Sequence, residues 1–115
     1  MNSDLEAMNL LFICSRNRRR SLTGEVLFGE RPGVNALSAG TAPDAETVVS
    51  ADLVQWADVV FAMEATHKRK LMKRFPRELK DKQLIVLGIP DRYSYMDEAL
   101  VNLLQIKVEA HLNKS

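Results

Sequence analysis

A stretch near the beginning of the chain decides the predicted fold: residues 8–29 read MNLLFICSRNRRRSLTGEVLFG. The short apolar run at residues 8–13 predicts a buried strand, and residues 21–29 predict a helix that ends near Gly29. Cys14 therefore lies where a strand ends and a helix follows. Backbone amides at such a junction, together with the helix dipole, attract anions. The stretch indicates a loop that binds a phosphate-like dianion opposite a thiol.

The rest of the chain continues the alternation of strand and helix. Further strands are predicted at residues 34–39, 57–63 and 83–89, and further helices at residues 48–56, 64–75 and 97–112. This order predicts an α/β fold, a three-layer sandwich in which helices flank a four-stranded parallel sheet. We expect residues 1–115 to form a single domain. Ligands of such sheets lie beyond the carboxyl ends of the strands, where Cys14 and Asp91 would meet.

Composition limits the classes of function that fit the chain. It has 115 residues, a net charge of +1 and one cysteine, so an internal disulfide is excluded and a reducing, cytoplasmic location is expected. No apolar run approaches the roughly 20 residues that span a bilayer, and residues 1–7 do not resemble a signal peptide. His67 and His111 lack neighbours suited to metal binding, so we expect no metal site.

The loop itself has the residues that phosphoryl transfer requires. A helix N-terminus favours the thiolate of Cys14 as a nucleophile. Arg20 offers a planar fork to two phosphate oxygens, and the Ser21 hydroxyl is placed to donate to the sulfur. The alternative is that Cys14 only fills space in the core, as free cysteines often do.

Four segments together resemble a known family. Residues 14–21 follow the pattern Cys-x-x-Asn-x-x-Arg-Ser, residues 37–41 read LSAGT, residues 57–63 read ADVVFAM and residues 90–93 read PDRY. In this order they resemble the phosphate loop, the Ser-Ala-Gly-Thr segment, the third strand and the Asp-Pro-Tyr loop of the low-molecular-weight protein tyrosine phosphatases. The resemblance covers most of residues 8–112.

The resemblance implies a role for each matching residue. Cys14 is the nucleophile that forms a phosphocysteine, Arg20 holds the phosphoryl oxygens, and Asp91 acts as general acid and then as general base. Asn17 adopts an unusual backbone conformation and holds the loop together with Ser38. The phosphate-binding loop comprises Ser15, Arg16, Asn17, Arg18, Arg19, Arg20 and Ser21. Separately from the resemblance, the aromatic rings of Tyr93 and Tyr95 are candidates to line the pocket and stack on an aryl substrate, and the alternative is that they pack on a surface loop. No metal or organic cofactor is implied.

The predicted function is that of a cysteine-dependent phosphomonoesterase acting on phosphotyrosine or a small aryl phosphate. The expected partners are a phosphorylated protein or a small phosphate ester, with phosphate or sulfate bound in the loop and no membrane. Arg16, Arg18 and Arg19 add positive potential and favour substrates that carry acidic groups. Two alternatives remain open: a non-catalytic module that binds phosphate or RNA through the arginines, and an arsenate reductase that uses an external thiol.

Overall fold

The central sheet has four strands, and all of its pairings are parallel. The structure, a computed structural model, describes residues 7–113; the predicted absence of a signal peptide concerns a segment that lies almost entirely outside them. The strands are adjacent in the order β2-β1-β3-β4. They are β1 (Met8–Cys14), β2 (Val34–Gly40), β3 (Val59–Ala62) and β4 (Gln83–Val86). The predicted α/β class is confirmed.

Within residues 7–113, four helices cover the two faces of the sheet. They are α1 (Arg20–Gly29), α2 (Ala51–Trp56), α3 (Ala65–Arg74) and α4 (Glu98–Leu112). Side chains of α1 and α4 share one apolar cluster with alternate residues of β1 and β3. Side chains of α2 and α3 share a second cluster with the intervening residues of the same strands. Each face of the sheet therefore has its own core, as expected for a doubly wound fold.

Strand β1 lies in the middle of both cores. Leu10 and Phe12 point to one face while Leu11 and Ile13 point to the other, and all four are fully buried. The Phe12 ring stacks between the rings of Phe28 and Phe61 at centroid distances of 5.7 and 5.4 Å. Because β1 is buried on both faces, its sequence is a continuous apolar run.

Side-chain caps set the first residue of two helices. The Ser50 hydroxyl accepts a hydrogen bond from the Leu53 amide at 3.2 Å, so α2 begins at Ala51 and not at residue 48 as the sequence predicted. Val48 instead forms an isolated bridge with Gly40. The Asp97 carboxylate accepts from the Ala99 amide at 2.9 Å and caps α4. Short polar side chains at these positions stabilise helix starts by satisfying free amides.

Strand β4 is shorter than the sequence predicted because a glycine interrupts it. The ladder ends at Val86, and Gly88 follows with a φ of +70°. Leu87 and Ile89 still donate amide hydrogen bonds to the carbonyls of Ala62 and Met63. The left-handed residue turns the chain, so Ile89 remains tied to the sheet while the next residues pass over its carboxyl edge.

The strand order fixes the place where a ligand can bind. From β1 the chain passes to β2 on one side, and it then crosses to β3 on the other side of β1. The carboxyl ends of β1 and β3 therefore form a topological switch point, which opens a crevice. Cys14 is the last residue of β1 and lies at this crevice. No helix within residues 7–113 is both long and apolar enough to cross a membrane.

Candidate active site

The loop between β1 and α1 wraps around the sulfur of Cys14. The thiol is free and almost fully buried, and the Asn17 amide donates to Sγ at 3.2 Å. Asn17 has a φ of +58°, in the left-handed region that asparagine tolerates better than most residues. Arg16 is not among the described residues with positive φ, so its side chain is accommodated without backbone strain.

A chain of hydrogen bonds defines the direction of the proton at the nucleophile. The Asn17 side-chain amide, Nδ2, donates to the Ser21 hydroxyl at 2.9 Å. Since Oγ of Ser21 accepts from Asn17, its own hydrogen is free to point to Sγ of Cys14, which lies 2.9 Å away. The sulfur thus receives two donors, one amide and one hydroxyl. Donors directed at sulfur stabilise a thiolate relative to a thiol.

The Arg20 guanidinium is buried, lines the same cleft as Cys14 and is held by hydrogen bonds. Its Nη1 donates to Oε1 of Glu64 and to the carbonyl of Ile89, both at 2.7 Å, and only 3% of the side chain is exposed. Nε lies 3.8 Å from Oδ1 of Asp91. A buried guanidinium needs such partners because an unpaired charge in the interior is very costly. Glu64 and Ile89 therefore fix the plane of the fork.

A cleft of about 380 Å³ opens above the loop. Its lining consists of Cys14, Ser15, Arg16, Arg18, Arg19, Arg20 and Asp91. Asp91 follows Pro90 in the segment after β4, and its side chain is largely exposed. The cleft thus combines a nucleophile, several guanidinium groups and one carboxylate that is able to exchange protons with solvent.

The segment after β2 supports the loop by close backbone contact. The amides of Thr41 and Ala42 donate to the carbonyls of Cys14 and Ser15 at 3.0 and 2.9 Å. A Cβ at Gly40 would lie 2.3 Å from the Ser15 carbonyl oxygen. Only glycine permits this approach, so Gly40 allows the two segments to pack closely and form these hydrogen bonds.

A buried histidine, to which the sequence assigned no site, supports the loop from a third side. Nδ1 of His67 accepts from the Glu64 amide at 3.0 Å, so in the neutral ring the hydrogen is on Nε2, which lies 3.0 Å from Oγ of Ser15. Burial and, to a smaller degree, the Arg20 guanidinium lower the pKa of His67 from 6.5 to about 4. The ring is therefore neutral at physiological pH and donates to Ser15, whose own hydrogen is left for a ligand in the cleft.

Solved structures of several phosphatases resemble the chain over nearly its full length. Wzb, a tyrosine phosphatase from Escherichia coli K30 solved with phosphate, is 24% identical with a TM-score of 0.74; the match covers 97% of this chain and 94% of that one. The YwlE arginine phosphatase from Geobacillus stearothermophilus is 23% identical with a TM-score of 0.67, over 90% and 94% of the two chains. A low-molecular-weight protein tyrosine phosphatase from T. tengcongensis is 21% identical with a TM-score of 0.70, over 90% and 99%.

The chain has the fold of the low-molecular-weight protein tyrosine phosphatases. No protein-family model and no curated protein matches it. Sequence identities of this size establish a shared fold. The chemistry of this chain has to be argued from the residues of its own site. In this chain, Cys14 is the last residue of the first strand and lies directly before the loop that leads to α1.

The structure brings most of the predicted site residues together. All seven residues that line the cleft were predicted from the sequence. Asn17 in the loop and Ser21 in the first turn of α1 contact the sulfur. Among the described residues, no group of three or more histidine, cysteine, aspartate or glutamate side chains is placed to hold a metal ion.

Ser38 does not hold Asn17, contrary to the prediction. The Ser38 hydroxyl donates to Glu25 of α1, while the Asn17 side chain donates to Ser21. The register explains the difference, because Ser38 is the partner of Phe12 on β1. Paired residues of a sheet point to the same face, and Phe12 faces α1.

The predicted place of Tyr93 in the pocket is also wrong. Its side chain is partly buried against the apolar cluster that includes α1 and α4. Tyr95 is 48% exposed, and neither tyrosine is among the described residues that line the cleft. The turn after Asp91 thus directs its first aromatic ring into the core and not towards a ligand.

Glu64 and His67 are the residues in contact with the candidate site that sequence reasoning missed. They lie at the start of α3 and form a reciprocal cap, in which the Glu64 side chain accepts from the His67 amide and the His67 ring accepts from the Glu64 amide. Their contacts with Arg20 and Ser15 join residues 44 and 52 positions apart. A Glu-x-x-His pair directly after an apolar strand was the available signal.

Proposed function

We propose that the chain is a cysteine-dependent phosphomonoesterase that works through a phosphocysteine intermediate. The observation that carries the proposal is the environment of Cys14. Its sulfur accepts from the Asn17 amide at 3.2 Å, lies 2.9 Å from the Ser21 hydroxyl, and faces a cleft that Arg20 and Asp91 also line. A nucleophile, an oxyanion-binding fork and an acid thus meet in one cleft.

The first step transfers the phosphoryl group to sulfur. The Cys14 thiolate attacks phosphorus while the bond from phosphorus to the ester oxygen breaks. The Arg20 fork binds the equatorial oxygens, whose charge must be stabilised in the transition state. Asp91, protonated at this stage, gives its proton to the departing oxygen. The leaving group departs as a neutral alcohol or phenol.

The second step returns the enzyme to its starting state. Asp91, now a carboxylate, takes a proton from a water molecule that attacks phosphorus as the bond from sulfur to phosphorus breaks. Inorganic phosphate leaves, and the Ser21 hydroxyl stabilises the thiolate that forms again. Ser21 thus donates to the sulfur in its thiolate form, which is consumed in the first step and released in the second. No cofactor enters either step.

We further propose an aryl leaving group, either a phosphotyrosine side chain or a small aryl phosphate. The named activity of Wzb, a tyrosine phosphatase, supports this proposal. A phosphorylated protein or a small phosphate ester is then the partner. The single cysteine supports a reducing, cytoplasmic location for the proposed enzyme, and we propose that residues 1–115 act as one domain.

Hydrolysis of para-nitrophenyl phosphate as a function of pH tests the proposal. The wild type, Cys14→Ser and Asp91→Asn are compared side by side, with circular dichroism as the control for folding. We expect no measurable turnover from the cysteine variant. We expect strongly reduced turnover from the aspartate variant, together with loss of the arm of the pH profile that reports the general acid.

Two results would contradict the proposed function. The first is turnover by Cys14→Ser at the rate of the wild type, which would place the chemistry elsewhere. The second is a folded wild type that binds vanadate but hydrolyses no ester in a panel of aryl and alkyl phosphates. That result would favour a phosphate-binding module that uses the same loop without turnover.

A further inference from the structure

The cleft holds more positive charge than one phosphoryl group requires. Four guanidinium groups line it, from Arg16, Arg18, Arg19 and Arg20, against the single carboxylate of Asp91. Arg20 is the one that the proposed chemistry uses, and it is already paired with Glu64. The three other arginines are exposed at the mouth of the cleft. We call them the rim arginines.

The rim arginines are weakly neutralised. Nε of Arg16 lies 3.9 Å from Asp44, and Nε of Arg18 lies 3.6 Å from Glu46, with all four side chains more than half exposed. Exposed pairs at such distances contribute little and separate readily. Within residues 7–113, Arg19 has no carboxylate within 4.0 Å. Arg19 is therefore free to bind an anion at the mouth of the cleft.

The same cleft offers little to an apolar leaving group. No aromatic or aliphatic side chain belongs to its lining among the described residues. A leaving group that extends from the phosphoryl site therefore meets guanidinium groups and solvent. Guanidinium groups bind carboxylates and phosphates through paired hydrogen bonds. The lining thus favours a charged leaving group over an apolar one.

We propose that the rim arginines, with Arg19 foremost, form a second anion subsite, and that the substrate is a phosphomonoester whose leaving group carries another anionic group near the phosphoryl group. This inference rests on the proposed function and adds the substrate class to it. A carboxylate or a second phosphate on the leaving group binds at the rim while the reacting phosphoryl group lies in the loop. The cationic side chain of a phosphorylated arginine is disfavoured, because the rim repels it.

Two matched phosphonates test the subsite without requiring turnover. The first is 4-carboxybenzylphosphonate, and the second is its methyl ester, which has nearly the same shape and lacks the second charge. Their dissociation constants are measured by titration calorimetry for the wild type, for Arg19→Gln and for Arg77→Gln. Arg77 is exposed and lies outside the cleft lining, so it controls for the loss of one positive charge.

We expect the wild type to bind the carboxylate roughly fivefold more tightly than the ester at low salt. The ratio should fall towards one in 0.5 M NaCl, as screening shortens the reach of exposed charges. Arg19→Gln should reduce the ratio, while Arg77→Gln should keep it. A wild-type ratio of one, no binding of either phosphonate, or an unchanged ratio in Arg19→Gln would overturn the subsite.

The outcomes separate this inference from the proposed function. Selective binding of the carboxylate without hydrolysis of any ester would support the subsite and contradict the enzyme. Hydrolysis with equal affinity for the two phosphonates would support the enzyme and contradict the subsite. A second arm compares fructose 1,6-bisphosphate with fructose 6-phosphate, and an aspartate-flanked phosphotyrosine peptide with its asparagine counterpart. The pair with the larger ratio shows whether a small molecule or a peptide supplies the second anion.

Discussion

Arg20 and the rim arginines are the same residue type in one short segment, but they differ in burial and in their partners. Arg20 is 3% exposed and has carboxylate and carbonyl partners. Arg19, its direct neighbour, is exposed at the mouth of the cleft. The difference follows from burial, because a buried charge must be paired whereas an exposed one is stabilised by water. Position in the sequence therefore decides whether an arginine is part of a buried, paired site or of the exposed surface.

The largest expected effect is the difference in the loss of kcat/KM when each of the two neighbouring arginines is replaced by lysine. Arg20→Lys keeps the charge but loses the planar fork, so we expect kcat/KM for para-nitrophenyl phosphate to fall about 10²- to 10³-fold. Arg19→Lys should lower it by less than about fivefold. Steady-state kinetics of the two variants measure the contrast. A loss as small in Arg20→Lys as in Arg19→Lys would show that charge alone, without geometry, explains the contribution of Arg20.

Burial of His67 on α3 should also give the protein a pH-dependent stability. The pKa of His67 is about 4 in the folded protein and 6.5 in the unfolded chain, so the unfolded state binds more protons between these values. The free energy of unfolding attributable to His67 therefore falls as the pH drops from 6.5 to about 4. The loss approaches about 3 kcal/mol at the lower limit, since each pH unit is worth about 1.4 kcal/mol.

Urea unfolding of the wild type and His67→Gln at several pH values measures this contribution. The amide of glutamine does not titrate, so the variant should lose less stability than the wild type on acidification. His111→Gln, on α4, is the matched control and should follow the wild type. A variant at position 67 with the same pH dependence as the wild type would show that folding does not lower the pKa of His67.

Close packing at Gly40 gives the next effect. A Cβ at this position would lie 2.3 Å from the Ser15 carbonyl oxygen, whereas a Cβ at Gly29 meets nothing within 4 Å. We expect Gly40→Ala to lower the free energy of unfolding by about 1–3 kcal/mol and to displace the loop, which reduces kcat as well. Gly29→Ala should leave kcat unchanged. Loss of stability without loss of turnover in Gly40→Ala would mean that the loop tolerates the displacement.

The smallest effect is expected from the acidic partners at the rim. Combining Asp44→Asn with Glu46→Gln removes two exposed ion pairs, so the free energy of unfolding should change by less than about 0.5 kcal/mol. Vanadate affinity should rise about twofold, because Arg16 and Arg18 lose competing anions. Chemical unfolding and vanadate inhibition check the two quantities. A large loss of stability would contradict the distinction between Arg20, which is buried and paired, and the rim arginines, which are weakly paired.

Much of the fold could be predicted because the deciding signals are local. The apolar run before Cys14 and the alternation of strand and helix gave the parallel sheet. The last helix was predicted to begin at residue 97, and Asp97 caps it. The spacing from Cys14 to Arg20 and Ser21 placed all three on one loop. Such signals depend on neighbours within a few residues, so one sequence is enough to read them.

The remaining features depend on packing between distant segments. Which residue holds Asn17 depends on the register of β2 against β1, which turned Ser38 towards Glu25. The contacts of α3 with the loop, from His67 to Ser15 and from Glu64 to Arg20, depend on how the helix lies against the carboxyl edge of the sheet. A charge partner or a tautomer cannot be read from residue type alone.

Capture of the covalent intermediate tests the central claim most directly. Asp91→Asn is mixed with para-nitrophenyl phosphate, whose leaving group needs little protonation, and the reaction is stopped rapidly in denaturant. Mass spectrometry of the digested protein then locates any added phosphoryl group. We predict that it is on the sulfur of Cys14 and that it is absent after the same treatment of Cys14→Ala. Turnover with unmodified Cys14, or a phosphoryl group on another residue, would contradict the claim that this loop is a nucleophilic phosphatase site.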